Sequence, residues 1–125
     1  MQRRISILGS TGSIGENALR IVAEHPDRFE VAGLAAGRSW ERLAEQAERF
    51  RPRVVSVADP RDAERLKGLV PAGTVVLSGE GGLREVAAGQ GAEVVVSALV
   101  GAAGLAPTLA AIEAGASIAL ANKEV

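Results

Sequence analysis

Residues 5–19, ISILGSTGSIGENAL, decide how the rest of the chain is read. ISIL is a short apolar run of the kind that forms a buried strand. A helical period starts almost at once behind it, with Ile14, Ala18, Ile21 and Val22 spaced i, i+4, i+7 and i+8. Between the two stand Gly9, Gly12 and Gly15, one at every third position. A strand–glycine loop–helix unit needs small residues for three reasons: a tight turn, a backbone that a pyrophosphate can approach, and close helix–strand packing. The helix N-terminal amides then face the anion. Ser10, Thr11 and Ser13 add hydroxyl donors and possible helix caps. The spacing is G-x-x-G-x-x-G rather than the dehydrogenase G-x-G-x-x-G, and the lysine of a Walker loop is missing. Taken alone, the glycines could make no more than a turn.

Working outward, the same alternation repeats. Further strand-like runs are EVAGLAA (30–36), RVVSV (53–57), TVVL (74–77), EVVVSAL (93–99) and SIALA (117–121). Helical periods lie between them at 14–24, 40–50, 61–69, 81–88 and 106–115. In 40–50 the apolar stripe is Trp40, Leu43, Ala44, Ala47 and Phe50, with Glu41, Glu45 and Glu48 on a solvated face. Pro107 suits a first helical turn and Gly115 a helix stop. Parallel neighbours need crossover helices, and continuous Val/Ile/Ala runs suit strands buried on both sides. The expectation is a doubly wound, mostly parallel Rossmann-like α/β sheet of about six strands with helices on both faces. It forms one domain spanning residues 1–125, with ligands beyond the carboxyl ends of the strands.

Bulk composition excludes several classes. The 125 residues carry 14 basic and 15 acidic side chains, so no footprint for nucleic acid or a membrane surface is expected. No apolar run approaches the length of a spanning helix, and with RRISILG beginning almost at once no signal or transit peptide is expected. Cysteine is absent, which excludes disulfides and thiolate metal sites and suggests a cytoplasmic protein. His25, the single histidine, precedes Pro26 and reads as a surface residue that cannot found a metal site. Asp59, Asp62 and Glu64 read as the start of a helix.

The end of the second strand carries the next signal. Nicotinamide-binding domains place a carboxylate there for the free ribose of NAD, or an arginine for the 2′-phosphate of NADP. No acidic residue occurs between Val31 and Trp40, whereas Gly37, Arg38 and Ser39 fill the loop. Arg38 would hold a phosphate through charge-assisted bonds of roughly 1.5–3 kcal/mol each. NADP is therefore expected over NAD. After the fifth strand, Ser97 and the small residues Gly101–Gly104 leave room for a ribose or make a plain turn. After the sixth, Asn122, Lys123 and Glu124 emerge together at the same carboxyl edge.

These segments resemble a known family. ILGSTGSIGENAL, LAAGRSWERLAEQ, VVSALVGAAGLAPTLAAIEAG and LANKE together are similar to the N-terminal domain of the 1-deoxy-D-xylulose 5-phosphate reductoisomerases, over essentially the whole chain. Semialdehyde dehydrogenases and dihydrodipicolinate reductases have related glycine loops that do not continue into LANKE. The resemblance implies conversion of 1-deoxy-D-xylulose 5-phosphate to 2-C-methyl-D-erythritol 4-phosphate, by skeletal rearrangement through retro-aldol cleavage and re-addition, then reduction by hydride. It implies NADPH and Mg²⁺ or Mn²⁺ as cofactors, and a homodimer at full length. It also assigns roles. Gly9 belongs to the cofactor loop, and Thr11, Gly12, Ser13 and Ile14 would contact the pyrophosphate. Gly37, Arg38 and Ser39 would hold the 2′-phosphate. Asn122 and Glu124 would lie near the nicotinamide, with Lys123 on the substrate.

The family's metal ligands, phosphate-binding residues and lid follow its NKE motif, so no metal ligand is expected in this chain. The expectation is an NADPH-binding piece of a longer enzyme, inactive alone. The alternatives are another NADP-dependent reductase of the two related types, or a non-catalytic nucleotide sensor.

Overall fold

A computed structural model describes residues 2–98, 115 and 117–120. Within them the chain alternates β1 (Arg3–Leu8), α1 (Ser13–Glu24), β2 (Phe29–Ala35), α2 (Trp40–Phe50), β3 (Val54–Val57), α3 (Pro60–Lys67), β4 (Val75–Ser78), α4 (Gly79–Ala88), β5 (Val94–Ser97) and β6 (Ser117–Leu120). The strands form one sheet in the order β4-β3-β2-β1-β5-β6, every neighbouring pair parallel. The chain runs outward from β1 to β4, then returns to place β5 on the other side of β1. That reversal makes the β1–β5 pair the topological switch point of the sheet, the place beside which open α/β sheets bind their ligands.

Strand periodicity separates two cores. Ile5, Ile7, Val55 and Val57 pack with Leu19, Val22, Leu43, Ala47, Ala63 and Leu66, so α1, α2 and α3 cover one face. Leu8, Ala35, Val54 and Val95 pack with Val86 and Ala87, so α4 covers the other. The register slips once, pairing Ile5 with Val31 but Ser6 with Gly33, so β2 carries one extra residue opposite β1. At Gly33 a Cβ would stand 3.0 Å from Val86 Cγ1 and 3.3 Å from Ser6 Oγ, which is how α4 comes so close to the sheet.

Two expectations need correction. The α1 face towards the core is Gly15, Leu19 and Val22, one residue on from the stripe beginning at Ile14, and Ile21 is 49% exposed. Gly15 lies directly on the loop after β1, and that contact sets the rotation of the helix. The β4 strand is not buried on both sides: it is the sheet edge, and Val75 is 57% exposed. Residues 106–114 of the expected final helix lie outside the described residues; Gly115 itself has φ +90°.

Ser6 Oγ is buried with no hydrogen-bond partner among the described residues. An unpaired buried hydroxyl is a net cost, so Ser6→Ala is expected to raise stability by up to ~1 kcal/mol, read as a higher denaturant midpoint at unchanged slope. A loss of more than that would show that the hydroxyl is satisfied in solution.

Candidate functional site: a dinucleotide cradle

The three glycines of the first loop have three different jobs. Gly9 ends β1 with φ +81°, a left-handed turn, and its amide and that of Ser10 donate to Ala35 O at 2.8 and 2.9 Å. Gly15 is a contact glycine: a Cβ there would stand 2.3 Å from Gly9 O and 2.6 Å from Ser10 Cα. Gly12, the N-cap of α1, is exposed and needed for neither purpose. Its φ is −79°, and a Cβ would meet nothing nearer than Gly9 O at 3.7 Å. A glycine with no internal reason, at the mouth of a helix, leaves open the approach of an external group. The α1 N-terminus has no side-chain cap, so the amides of its first turn, at Ser13, Ile14 and Gly15, are available to an anion.

The capping role expected of the hydroxyls is not found. Ser10 is fully buried, and its hydroxyl donates to Gln46 Oε1 at 2.8 Å. In return Gln46 Nε2 donates to Ser10 O at 2.9 Å and to Glu16 Oε1 at 3.1 Å. Arg42, one turn earlier on α2, holds Glu16 through Nε at 2.6 Å and a second bond at 3.0 Å, and also bonds Glu45. Hydrogen bonding from Arg42, ahead of that from Gln46, holds the Glu16 carboxyl below the ordinary carboxylate range despite some desolvation. Glu16 therefore stays ionised, with its charge paired to the Arg42 guanidinium. Sequence reasoning missed this clamp, because Gln46 sits beside an apolar stripe and looks like one more polar surface residue.

The second loop lies on the same carboxyl edge. Gly37, Arg38 and Ser39 are exposed between β2 and α2, and no ion pair is found for Arg38 among the described residues. Ala36 N–H donates to Ser56 O at 2.9 Å and Ala58 N–H to Gly37 O at 3.0 Å, so the loops after β2 and β3 are tied together. Ala35, Ala36, Gly37, Val57, Gly79 and Leu83 line an adjoining, mostly apolar cavity of about 300 Å³. On the other side of β1, the backbone at Ala98 stands 3.2 Å from a Cβ built on Gly9, and Ala98 N–H donates to Leu8 O at 2.9 Å. Gly9, Thr11, Gly12, Ser13, Ile14, Gly37, Arg38 and Ser39 thus share one edge of the sheet. Asn122, Lys123, Glu124 and Gly101–Gly104 lie outside the described residues. Among the described residues no three His, Cys, Asp or Glu side chains converge on a metal-sized site, and no helix is long and apolar enough to cross a membrane.

Comparison with known proteins agrees with this geometry. The family model described as 1-deoxy-D-xylulose 5-phosphate reductoisomerase matches residues 5–125. The chain belongs to that family. The reductoisomerase of Anaeromyxobacter sp. (strain K) is 57% identical over 122 residues, covering 98% of this chain and 31% of that protein. The solved reductoisomerase of Zymomonas mobilis in complex with NADPH superposes with a TM-score of 0.91 at 36% identity, covering 98% of this chain and 32% of that one. A second structure, of DOX-P reductoisomerase in complex with NADPH, fosmidomycin and magnesium, gives 0.87 at 39% identity over 96% of this chain and 30% of that one. The chain thus spans about a third of the length of the family members it matches.

Proposed function

We propose that this chain is the NADPH-binding domain of a 1-deoxy-D-xylulose 5-phosphate reductoisomerase, an NADP-dependent oxidoreductase of non-mevalonate isoprenoid biosynthesis. The observation that carries the reading is the shared carboxyl edge. There the uncapped α1 N-terminus, with open Gly12 before it, lies on the same side as the Arg38 loop at the end of β2. The first-turn amides would take the pyrophosphate, and Gly37, Arg38 and Ser39 the 2′-phosphate. Bound there, NADPH supplies a hydride to the rearranged substrate. Asn122 and Glu124 are proposed to flank the nicotinamide half. Lys123 is proposed to meet the substrate, where an ammonium would stabilise developing oxygen charge.

The described residues do not fit a divalent ion, so the Mg²⁺ or Mn²⁺ of the reaction is assigned to acidic residues other than these. The full-length protein is proposed to be a cytoplasmic homodimer that binds neither nucleic acid nor membrane, in keeping with 14 basic against 15 acidic side chains.

Titration with the two reduced cofactors tests the reading. Wild type should bind NADPH more tightly than NADH. Arg38→Ala should weaken NADPH about ten-fold or more while leaving NADH within about two-fold, the loss of one charge-assisted contact to a phosphate. A wild type that prefers NADH would sink the assignment.

A further inference from the structure

The groove beside Arg38 holds more charge than one phosphate-binding arginine explains. It is lined by Arg38, Ala58, Asp59, Pro60, Arg61 and Asp62. The bond from Ala58 N–H to Gly37 O, 3.0 Å, fixes the loop after β3 against the Arg38 loop. Two carboxylates therefore line the same groove as the residue proposed to hold a phosphate. Bare, either would repel a phosphate dianion and favour the cofactor that lacks one.

Neither is bare. Asp62 Oδ1 pairs with Arg65 at 3.6 Å. Asp59 is covered on both oxygens by Arg61, whose Nε lies 3.3 Å from Oδ1 and whose terminal nitrogen lies 3.0 Å from Oδ2. Asp59 also has a structural task. It is the N-cap of α3, with Oδ1 accepting from Arg61 N–H at 2.8 Å ahead of Pro60 in the first turn. The need for a cap puts a negative charge in the groove, and the guanidinium two residues on cancels it. Side-chain hydrogen bonds from Arg61 hold the Asp59 carboxyl below its usual range, so that charge is permanent near neutral pH.

We infer that Arg61 is a specificity-determining residue: by covering Asp59 it leaves Arg38 as the uncompensated charge of the groove and so admits the 2′-phosphate of NADPH. The inference rests on the cofactor reading proposed above, and it assigns Arg61 an indirect role through Asp59, not a contact to the phosphate.

The test compares NADPH and NADH dissociation constants for the full-length protein, with Arg61→Ala and the double variant Asp59→Asn/Arg61→Ala. An exposed ion pair contributes little to stability and asparagine caps a helix as well as aspartate, so both variants should fold. Arg61→Ala is expected to lose about five- to ten-fold of the NADPH-over-NADH preference, entirely through weaker NADPH binding, and the double variant to regain it. An unchanged preference in Arg61→Ala overturns the inference, and so does a loss that Asp59→Asn fails to restore. Wild type without a preference for NADPH would overturn the cofactor reading together with this one. A preference that depends on Arg38 but not on Arg61 would overturn this one alone.

Discussion

Gly15→Ala should destabilise the fold by about 3 kcal/mol and abolish cofactor binding at concentrations that saturate wild type. The added methyl would stand 2.3 Å from Gly9 O and 2.6 Å from Ser10 Cα, both backbone atoms. A flexible side chain could swing away from such a clash; a turn cannot. Gly9 is held at φ +81°, and its amide and that of Ser10 are bonded to Ala35 O, so the loop is fixed to β2 from below. The helix must therefore move off the loop, which also draws Leu19 and Val22 away from the core beneath α1. Helix propensity pulls the other way, because alanine is favoured over glycine by about 1 kcal/mol inside a helix. The contact distance decides the sign. Denaturant melts check it, with Gly12→Ala as the control: a Cβ there meets nothing closer than 3.7 Å, so that variant should lose only about 1 kcal/mol, the cost of alanine at an N-cap, while losing affinity. A Gly15→Ala protein as stable as wild type would mean that the loop and helix are less closely apposed than this geometry requires.

The contrast between these two glycines shows where sequence reading stops. Strand–helix alternation was legible because apolar runs and helical periods are local patterns, and the described elements lie within a few residues of the expected places. The glycine loop was legible as a loop for the same reason. Which glycine turns, which touches and which stays open depends on what lies opposite in space, and no local pattern carries that. The strand order is likewise non-local. Nothing in the residues of β5 says that it pairs with β1, yet that pairing sets the switch point of the sheet. Position in the sheet also separated β4 from the inner strands: Thr74–Leu77 looked as apolar as the others, and only the edge placement exposed Val75. The signal proposed for the Arg38 loop is local, the lack of an acid at the end of β2, whereas the role inferred for Arg61 depends on a loop that is distant in the chain and adjacent only in space.

Gln46→Leu is the second large effect, and it separates a positioning role from a purely structural one. Gln46 is 3% exposed and makes three hydrogen bonds, two of them to Ser10. Leucine preserves the bulk but leaves the Ser10 hydroxyl and carbonyl buried without their partner. Each such orphan costs roughly 1–3 kcal/mol, so a loss of about 2–4 kcal/mol is expected. Ser10→Ala alone should cost less, since water or Glu16 can still serve part of the Gln46 amide. The double variant should fall short of the sum of the singles, because both members of one bond are then gone. Ser10 lies between Gly9 and Thr11, so loosening its peptide shifts the amides that would cradle the pyrophosphate, a group that NADPH and NADH share. The two cofactors should therefore weaken by the same factor in Gln46→Leu, measured well below its melting temperature where the protein is fully folded. Arg38→Ala, acting only on the 2′-phosphate, should move NADPH alone. A Gln46→Leu protein that binds both cofactors like wild type while melting earlier would reduce the α2 clamp to a stability device. One that lost only NADPH would show that the clamp acts on the α2 N-terminus and Arg38 instead of on the glycine loop.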